Sequence, residues 1–297
     1  MAATRRLREL VDSTRERMRV PPGPVTVALS GGADSAALAH MALESGVGVS
    51  LVHVHHGFAA SDVLASAATR IAKHLGLSLS TVSVDVASGP SVEAHARDAR
   101  YGALESVDGP VLTAHTLDDT VETMLINLIR GTGIDGLGGI PYHRPPNVYR
   151  PILAVSRSET REIAALAGLE FRDDPSNLDL DLTRNHVRHV ILPRMRELNP
   201  RLDEAMARTA AGLRIEAEFL DDLAAGATSD ALDVSVVATI PGVVADRMLR
   251  RWLITHRVQV TADLMGRVWS VVRGQSDRQD LEGGRRVVRD RAVIRVE

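Results

Sequence analysis

An apolar, β-branched run, Val25-Thr26-Val27-Ala28-Leu29, empties into Ser30-Gly31-Gly32-Ala33-Asp34-Ser35 and then into Ala36-Ala37-Leu38-Ala39-His40-Met41. The run reads as a buried strand, the small residues as a loop that curls its N–H groups into a ring, and the rest as a helix. A strand that passes to a helix this way collects unpaired N–H groups and the positive end of the helix dipole at one spot. An anion belongs there.

Which anion follows partly from what is missing. A GxxxxGK[ST] phosphate loop needs a lysine after its glycines, and the only lysine of the chain is Lys73. A GxGxxG dinucleotide fingerprint is absent as well. What remains is a compact nest made by Ser30, Gly31, Gly32, Ala33 and Ser35, with one carboxylate, Asp34. A carboxylate facing a phosphate repels it unless a divalent cation stands between, so Asp34 reads as a Mg²⁺ ligand. The plainer alternative is a flexible turn whose Asp34 is a first-turn acid favoured by the dipole.

The 297 residues suffice for one large domain and a smaller one. Hydrophobic residues make up 44% and charged residues 25%, which suits an ordinary globular chain, and aromatics at 3% leave few platforms for stacking nucleobases. With no cysteine there is no disulfide, thiolate metal site or persulfide relay. No run approaches the roughly eighteen apolar residues of a membrane span, and the charged N-terminus lacks a signal-peptide core, so a cytoplasmic protein without membrane contact is expected. The net charge of −3 argues against nucleic acid. Its distribution argues the other way: Arg184 to Arg214 holds seven arginines against three acids, and Arg247 to Glu297 twelve against six. Solvated helix faces would account for many of these.

Strand and helix patterns alternate along the first two thirds. Met1–Val20 reads as an amphipathic helix stopped by Pro21-Pro22-Gly23-Pro24, Val49–Val54 as a strand, Ser61–Leu75 as a helix and Leu79–Val84 as extended. Ser91–Val107 then reads as a helix, Val111–Ala114 as extended, and a helix runs to Arg130. This alternation predicts a Rossmann-like α/β fold, a parallel sheet with helices on both faces, whose ligands lie beyond the carboxyl ends of the strands. Those ends are chemically loaded: SGGADS after the first strand, His55-His56-Gly57 after the second, and His115-Thr116-Leu117-Asp118-Asp119 after the later one. His53 and His55 share a strand face, but nothing is spaced to complete a zinc site, so the imidazoles read as lining of a nucleotide and substrate cleft.

Thr116 can cap the third of these helices, with Asp119 returning a bond from the first turn. That leaves Glu122, three residues beyond Asp119 and four beyond Asp118, on the same helix edge. Acids crowded this way need a cation, either Mg²⁺ or a substrate ammonium. The glycine-rich Arg130–Pro141, with Gly131 and Gly133, reads as a shaped loop near ligand. Beyond it, Arg157–Ala167 reads as a helix, Asp173–Asn177 as a turn, and Thr183–Arg188 as the start of another helix. Arg201–Ala224 reads as a long helix between domains, and Ala225–Asp230 as a connection. Pro241–Arg257 and Thr261–Arg273 read as helices, and Leu281–Val296 as a hairpin, giving a small, mainly helical C-terminal domain.

SGGADS after a first buried strand resembles the pyrophosphate loop of the N-type ATP pyrophosphatases. Together with HVHHG, EAHARDARY, TAHTLDDTVETMLINLIRGTGIDGLGGI, RPIL, DPSN and TRNHVRHVILP, in that order, it resembles the bacterial tRNA(Ile)-lysidine synthetase family over most of Val25–Pro193. The resemblance implies an enzyme that uses ATP and Mg²⁺ to adenylate the wobble cytidine of a tRNA(Ile) with a CAU anticodon, after which the ε-amine of free L-lysine displaces AMP. It implies residues 1–212 as the catalytic domain and 213–297 as a module that contacts tRNA or joins two copies as a homodimer. It further implies the nest and Asp34 for the pyrophosphate and Mg²⁺, with His55, Arg97 and Arg100 also toward the nucleotide. Asp118, Asp119, Glu122, Gly131, Gly133 and Arg188 fall to the substrates, and Asp34, His115, Asp119, Glu122 and Arg184 to catalysis. The rivals are another tRNA-modifying ATP pyrophosphatase, disfavoured where sulfur transfer needs cysteine, and a non-catalytic ATP-binding module.

Overall fold

A computed structural model describes residues 1–57, 59–85, 92–225 and 230–297, and divides the chain into two units, Met1–Ala211 and Gly212–Glu297. Ser91, the expected start of a helix, and residues 226–229 of the expected connection lie outside the described residues.

In the first unit the helices are α1 (Ala2–Arg15), α2 (Ala33–Glu44), α3 (Ala59–Leu75), α4 (Val92–Glu105), α5 (Leu117–Ile129), α6 (Ile134–Leu137) and α7 (Arg157–Leu166). The strands are β1 (Val25–Ala28), β2 (Val49–His55), β3 (Leu79–Ser83), β4 (Val111–Leu112), β5 (His143–Arg144) and β6 (Val148–Tyr149). They form one sheet in the order β3-β2-β1-β4-β6-β5, parallel except for the last pair. The order reverses direction of growth beside β1, which places the loop after β1 at the crevice where such sheets bind ligands.

Alternation along the strands makes the two-faced core. Leu51 and Leu112 pack with β1 and with α1, α2, α3 and α7, while their neighbours Val52 and Val111 pack on the other face with Tyr101 and Leu104 of α4. α2 lies against the sheet along Ala36, Ala37, Ala39 and Ala42, all fully buried, because alanine lets helix and sheet backbones approach closely.

Helix ends match the local chemistry. Thr116 and Asp119 form the expected reciprocal cap on α5, and Ser156 with Glu159 repeats it on α7. Three helical pieces, α8 (Thr183–His186), a π turn over Val187–Ile191, and α9 (Leu192–Leu198), follow without a break. The widened turn comes where Pro193 cannot donate to the preceding turn. Asn185 fixes this segment by donating to the carbonyls of Ser176 and Asp179, and so sets the bearing of Arg184 and Arg188.

The unit boundary falls within α10 (Leu202–Leu223). The second unit holds β7 (Ala231–Asp233), α11 (Val234–Thr239), α12 (Gly242–Thr255), α13 (Ala262–Val272), β8 (Arg278–Asp280), β9 (Arg286–Asp290) and β10 (Val293–Val296). Its helices enclose Trp252 and Leu249 against an antiparallel sheet in the order β7-β10-β9-β8. The sequence reading expected one hairpin over Leu281–Val296 turning at Gly283-Gly284; that turn joins β8 to β9, and β9 pairs β10 through a second turn at Arg291-Ala292.

Candidate active site

The loop after β1 is held by its own hydroxyls. Ser30 and Ser35 place their oxygens 3.0 Å apart, Ser35 Oγ accepts from the Ser30 N–H at 3.1 Å and donates to the Gly32 carbonyl at 3.0 Å, and the Gly32 N–H donates to Ser30 Oγ. Gly31 has φ +90°, and a Cβ there would strike the Leu64 carbonyl of α3, so both backbone conformation and space require glycine. The Arg172 N–H closes the far side on the Gly31 carbonyl at 2.9 Å. The loop is thereby preshaped at the mouth of a cleft of about 970 Å³, a size that suits a nucleotide.

Asp34 opens α2 beside this loop. It accepts a hydrogen bond from Thr160 and lies 3.6 Å from Arg157 Nε, both on α7. Burial raises its carboxyl above the usual range, opposed by Thr160 and Arg157, and the nearby charges of Asp119 and Asp118 push it up again. A carboxylate this poorly compensated gains from a cation. Among the described residues no group of three or more His, Cys, Asp or Glu side chains forms a cage. Mg²⁺ needs none, since it binds through one or two carboxylates plus substrate phosphates and water.

One turn along α5 the expected acid cluster is present, and its cations are arginines. Arg157 donates to Asp119 at 2.8 Å and to Glu122 at 2.9 Å, while its backbone N–H donates to Asp118 at 2.8 Å. Arg188 grips Glu122 through two bonds, at 2.7 and 2.9 Å. Arg184 stands further off, 3.6 Å from Glu122 and 3.8 Å from Asp119, with a hydrogen bond to Thr123 Oγ1 at 3.3 Å. Arg196 pairs Asp118 at 3.2 Å. Burial would raise Asp119, but Arg157, His115 and the two Thr116 bonds outweigh it and hold the carboxyl below its usual value. His115 is pushed down to about 3, by burial first and by Arg150, Arg100 and Arg97 next, against the pull of Asp119. It therefore stands neutral in the cleft, with Nδ1 3.1 Å from Thr113 Oγ1.

Arg97, Arg100 and Tyr101 also line the cleft, and Arg144 and Arg150 pack around the same ring. The guanidinium carbons of Arg97, Arg100, Arg144 and Arg150 lie 5.0, 5.6, 4.1 and 5.8 Å from the centre of the Tyr101 ring, and Arg150 donates to the Tyr101 hydroxyl at 3.0 Å. Arg144 pairs Glu105, whereas Arg97, Arg100 and Arg150 have no carboxylate partner among the described residues. Burial depresses Arg100, Tyr101 opposes that, and Arg97, Arg184 and Arg150 add to it. Cations packed this way without counter-charge await an anion.

Of the residues expected from sequence, Ser30, Gly32, Ala33, Asp34, Ser35, Arg97, Arg100, His115, Asp119, Arg184 and Arg188 line the cleft. Gly31, Asp118 and Glu122 stand directly behind the lining, bonded to it. His55 is turned to Asp62 at 3.0 Å, and its neighbours His53 and His56 line the cleft instead. Gly131 and Gly133 flank the start of α6 and are not among the lining residues: Gly131 has φ +74° where α5 ends, and Gly133 caps α6. Sequence reasoning missed Arg157, Thr160 and Tyr101. Arg157 had a signal, as the first helical residue after the Ser156 cap of the Ser156-x-x-Glu159 box.

Comparisons with known proteins agree with this geometry. Residues 2–195 match the PP-loop domain family. The tRNA(Ile)-lysidine synthase of Nocardia farcinica (strain IFM 10152) is 40% identical over 249 residues, covering 80% of this chain and 78% of that protein. The enzyme of the same name from Pseudomonas aeruginosa PAO1 is 41% identical over 211 residues, 67% of this chain and 48% of that one. Among solved structures, the U34-tRNA thiolase NcsA from Methanococcus maripaludis, with its 4Fe-4S cluster, superposes with a TM-score of 0.58 at 18% identity, over 70% of this chain and 78% of that chain. That likeness shows the fold alone. With a preshaped loop after β1, acids and arginines facing it across one cleft, and close relatives along most of its length, the chain belongs to the tRNA(Ile)-lysidine synthase family of PP-loop proteins.

Proposed function

We propose that this chain joins L-lysine to the wobble cytidine of a tRNA(Ile) with a CAU anticodon, using ATP and releasing AMP and pyrophosphate. The observation that carries this reading is the placement of the Ser30–Ser35 loop and Asp119 on one cleft, with Glu122 directly behind it and Arg157 bridging Asp34 to both acids. A nucleotide-binding module without chemistry has no use for the second half of that arrangement.

In the first step the loop N–H groups and the start of α2 hold the leaving pyrophosphate, whose charge grows as its bond to the α-phosphorus breaks and the cytidine carbonyl oxygen bonds in its place. Mg²⁺, held by Asp34, would neutralise part of that charge. Arg97 and Arg100 present their cations to phosphate, and neutral His115 can accept or donate a hydrogen bond to nucleotide or base without adding charge. In the second step Asp119 and Glu122 hold the ε-ammonium of lysine. One of the two carboxylates helps to remove its proton so that the amine can attack the adenylated carbon, and AMP departs with the oxygen. Arg188 orients Glu122, and Arg184 faces the substrates.

Residues 1–212 are proposed as the catalytic domain and 213–297 as the module that contacts tRNA or a second copy. The cytoplasm is proposed as the compartment of the reaction; among the described residues no helix is long and apolar enough to cross a membrane. The chain has no cysteine, which removes the ligands a sulfur-transferring relative would need.

The test is pyrophosphate release from Mg²⁺ and ATP with purified protein, with tRNA(Ile) transcript and labelled lysine each added or omitted. Release that depends on tRNA, followed by label in the tRNA, supports the reading. ATP binding with no pyrophosphate under any combination sinks it.

A further inference from the structure

Asp34, Asp119 and Glu122 meet Arg157, Arg184 and Arg188, while Asp118 shares Arg196 with Asp203, so guanidiniums already occupy the Asp119 and Glu122 carboxylates without any substrate. An incoming ε-ammonium would crowd against those guanidiniums in a site where Glu122 is fully buried and the Arg157 and Arg188 side chains are only 20% and 19% exposed. Uncompensated charge is costly there. Lysine therefore binds well only when one guanidinium withdraws.

The contacts identify which one. Arg157 and Arg188 bond directly to Glu122, at 2.9 Å or less, and charge-assisted bonds of that length are the strong ones. Arg184 comes no nearer than 3.6 Å to either carboxylate, is held by a single 3.3 Å bond to a threonine hydroxyl, and is the most exposed of the three at 34%. Loose, partly solvated pairs of this kind are worth little. Arg184 also lies close enough to Arg100 to be felt as a like charge, and both line the cleft together with Arg97. A phosphate bound at Arg97 and Arg100 attracts Arg184 away from the acids.

We infer that Arg184 is an exchangeable cation: it rests on Asp119 and Glu122 in the empty enzyme, moves to the phosphate of bound nucleotide or adenylated base, and thereby opens the ammonium site. Nucleotide and lysine would then bind with positive coupling, which makes amine entry follow the arrival of the phosphate. This rests on the lysine-ligating reading above.

The experiment is equilibrium dialysis of labelled lysine with the full chain, alone and with Mg²⁺ plus either AMP or α,β-methylene ATP. In the wild type, nucleotide should tighten lysine binding by about fivefold or more, the usual lower range of site coupling. In Arg184→Gln, lysine should bind the nucleotide-free protein about as tightly as it binds the wild-type complex, and nucleotide should add less than about twofold. Arg184→Lys, which keeps a movable cation, should retain coupling and serves as the second variant should the glutamine form fail to fold. Coupling unchanged in Arg184→Gln, or weaker lysine binding by that variant in the absence of nucleotide, overturns the exchange. If lysine binds in no state and none is transferred to tRNA, the lysine-ligating reading itself has failed; transfer with unaltered coupling defeats only the role given to Arg184.

Discussion

Arg188 closes on Glu122 with Nε at 2.7 Å and Nη2 at 2.9 Å, over a carboxylate that is completely buried. Arg157 holds the same carboxylate from α7 at 2.9 Å, so one α5 glutamate fixes two guanidiniums from two other segments. Glu122→Ala removes the shared partner and strands both cations together. A loss of about 3–5 kcal/mol in stability is expected, as for breaking other buried pairs. Urea unfolding would measure it, and Glu122→Gln, which keeps the volume and one acceptor, should lose less stability while still losing lysine transfer. A midpoint for Glu122→Ala within error of wild type would mean that the two arginines find other partners.

The pH dependence follows from His115 and Asp119. His115 is depressed from 6.5 to about 3 and Asp119 is depressed below 3.8. A group depressed on folding adds stability that is complete above its unfolded pKa and is lost as the pH falls toward its folded pKa. The histidine contribution is therefore full above about pH 6.5 and declines below it, by up to ~1.4 kcal/mol per pH unit, and Asp119 adds its own loss below about pH 4. His115→Gln, which cannot titrate, should flatten the slope of stability between pH 6.5 and 4 and leave the steeper fall below it. Thermal midpoints measured across that range decide, and an unchanged slope would show that His115 is not held neutral.

Much of this site was legible because its chemistry is local. The Ser30–Ser35 loop is six consecutive residues, and the Thr116–Asp119 cap spans one turn, so spacing alone specifies their geometry. The basic cluster was legible in half: Arg97 and Arg100 share α4 with Tyr101 and were expected toward the nucleotide, whereas Arg144 and Arg150 reach the ring only through the β4–β6 and β5–β6 pairings. β4, β5 and β6 have two residues each, too few for a period of two to register. The histidine reading missed by one position: β2 runs to His55, whose ring turns to Asp62 of α3, a partner that sequence spacing does not indicate. Arg157 was missed for a similar reason, since the acids it binds lie 35 to 39 residues earlier.

Gly31 is the position in the loop that tolerates least. Gly31→Ala demands a side chain at φ +90° and drives its Cβ into the Leu64 carbonyl, which belongs to helix backbone and cannot rotate aside. Backbone strain of this kind costs about 1–3 kcal/mol before the clash is counted. The expected result is a lower thermal midpoint together with weakened ATP binding, measured by calorimetry on the same preparation. Gly57→Ala also requires a positive φ but meets nothing within 4 Å, so it should lose stability and keep ATP binding nearer to wild type. Equal binding losses in the two variants would mean that general strain, and not the shape of the loop, is what the assay sees.

Asp34 makes the last prediction, because its surroundings separate metal chemistry from packing. Thr160, one turn beyond Arg157 on α7, donates to it, and burial with two neighbouring acids leaves it short of positive charge. Asp34→Asn keeps the shape and an acceptor for Thr160 but removes the anion that would hold Mg²⁺. Pyrophosphate release should fall by about a hundredfold or more, comparable to removing other groups that stabilise developing charge, and chelation of Mg²⁺ should reduce the wild type to a similar rate. Stability should change little or rise, since a buried, undercompensated carboxylate has been neutralised. Thr160→Val provides the contrast: it deprives Asp34 of a hydrogen bond without touching its charge, and should slow release by about tenfold, a loss that added Mg²⁺ partly restores. If Asp34→Asn instead releases pyrophosphate at the wild-type rate with the same Mg²⁺ dependence, the metal is held elsewhere and Asp34 serves only to position α7 through Thr160 and Arg157.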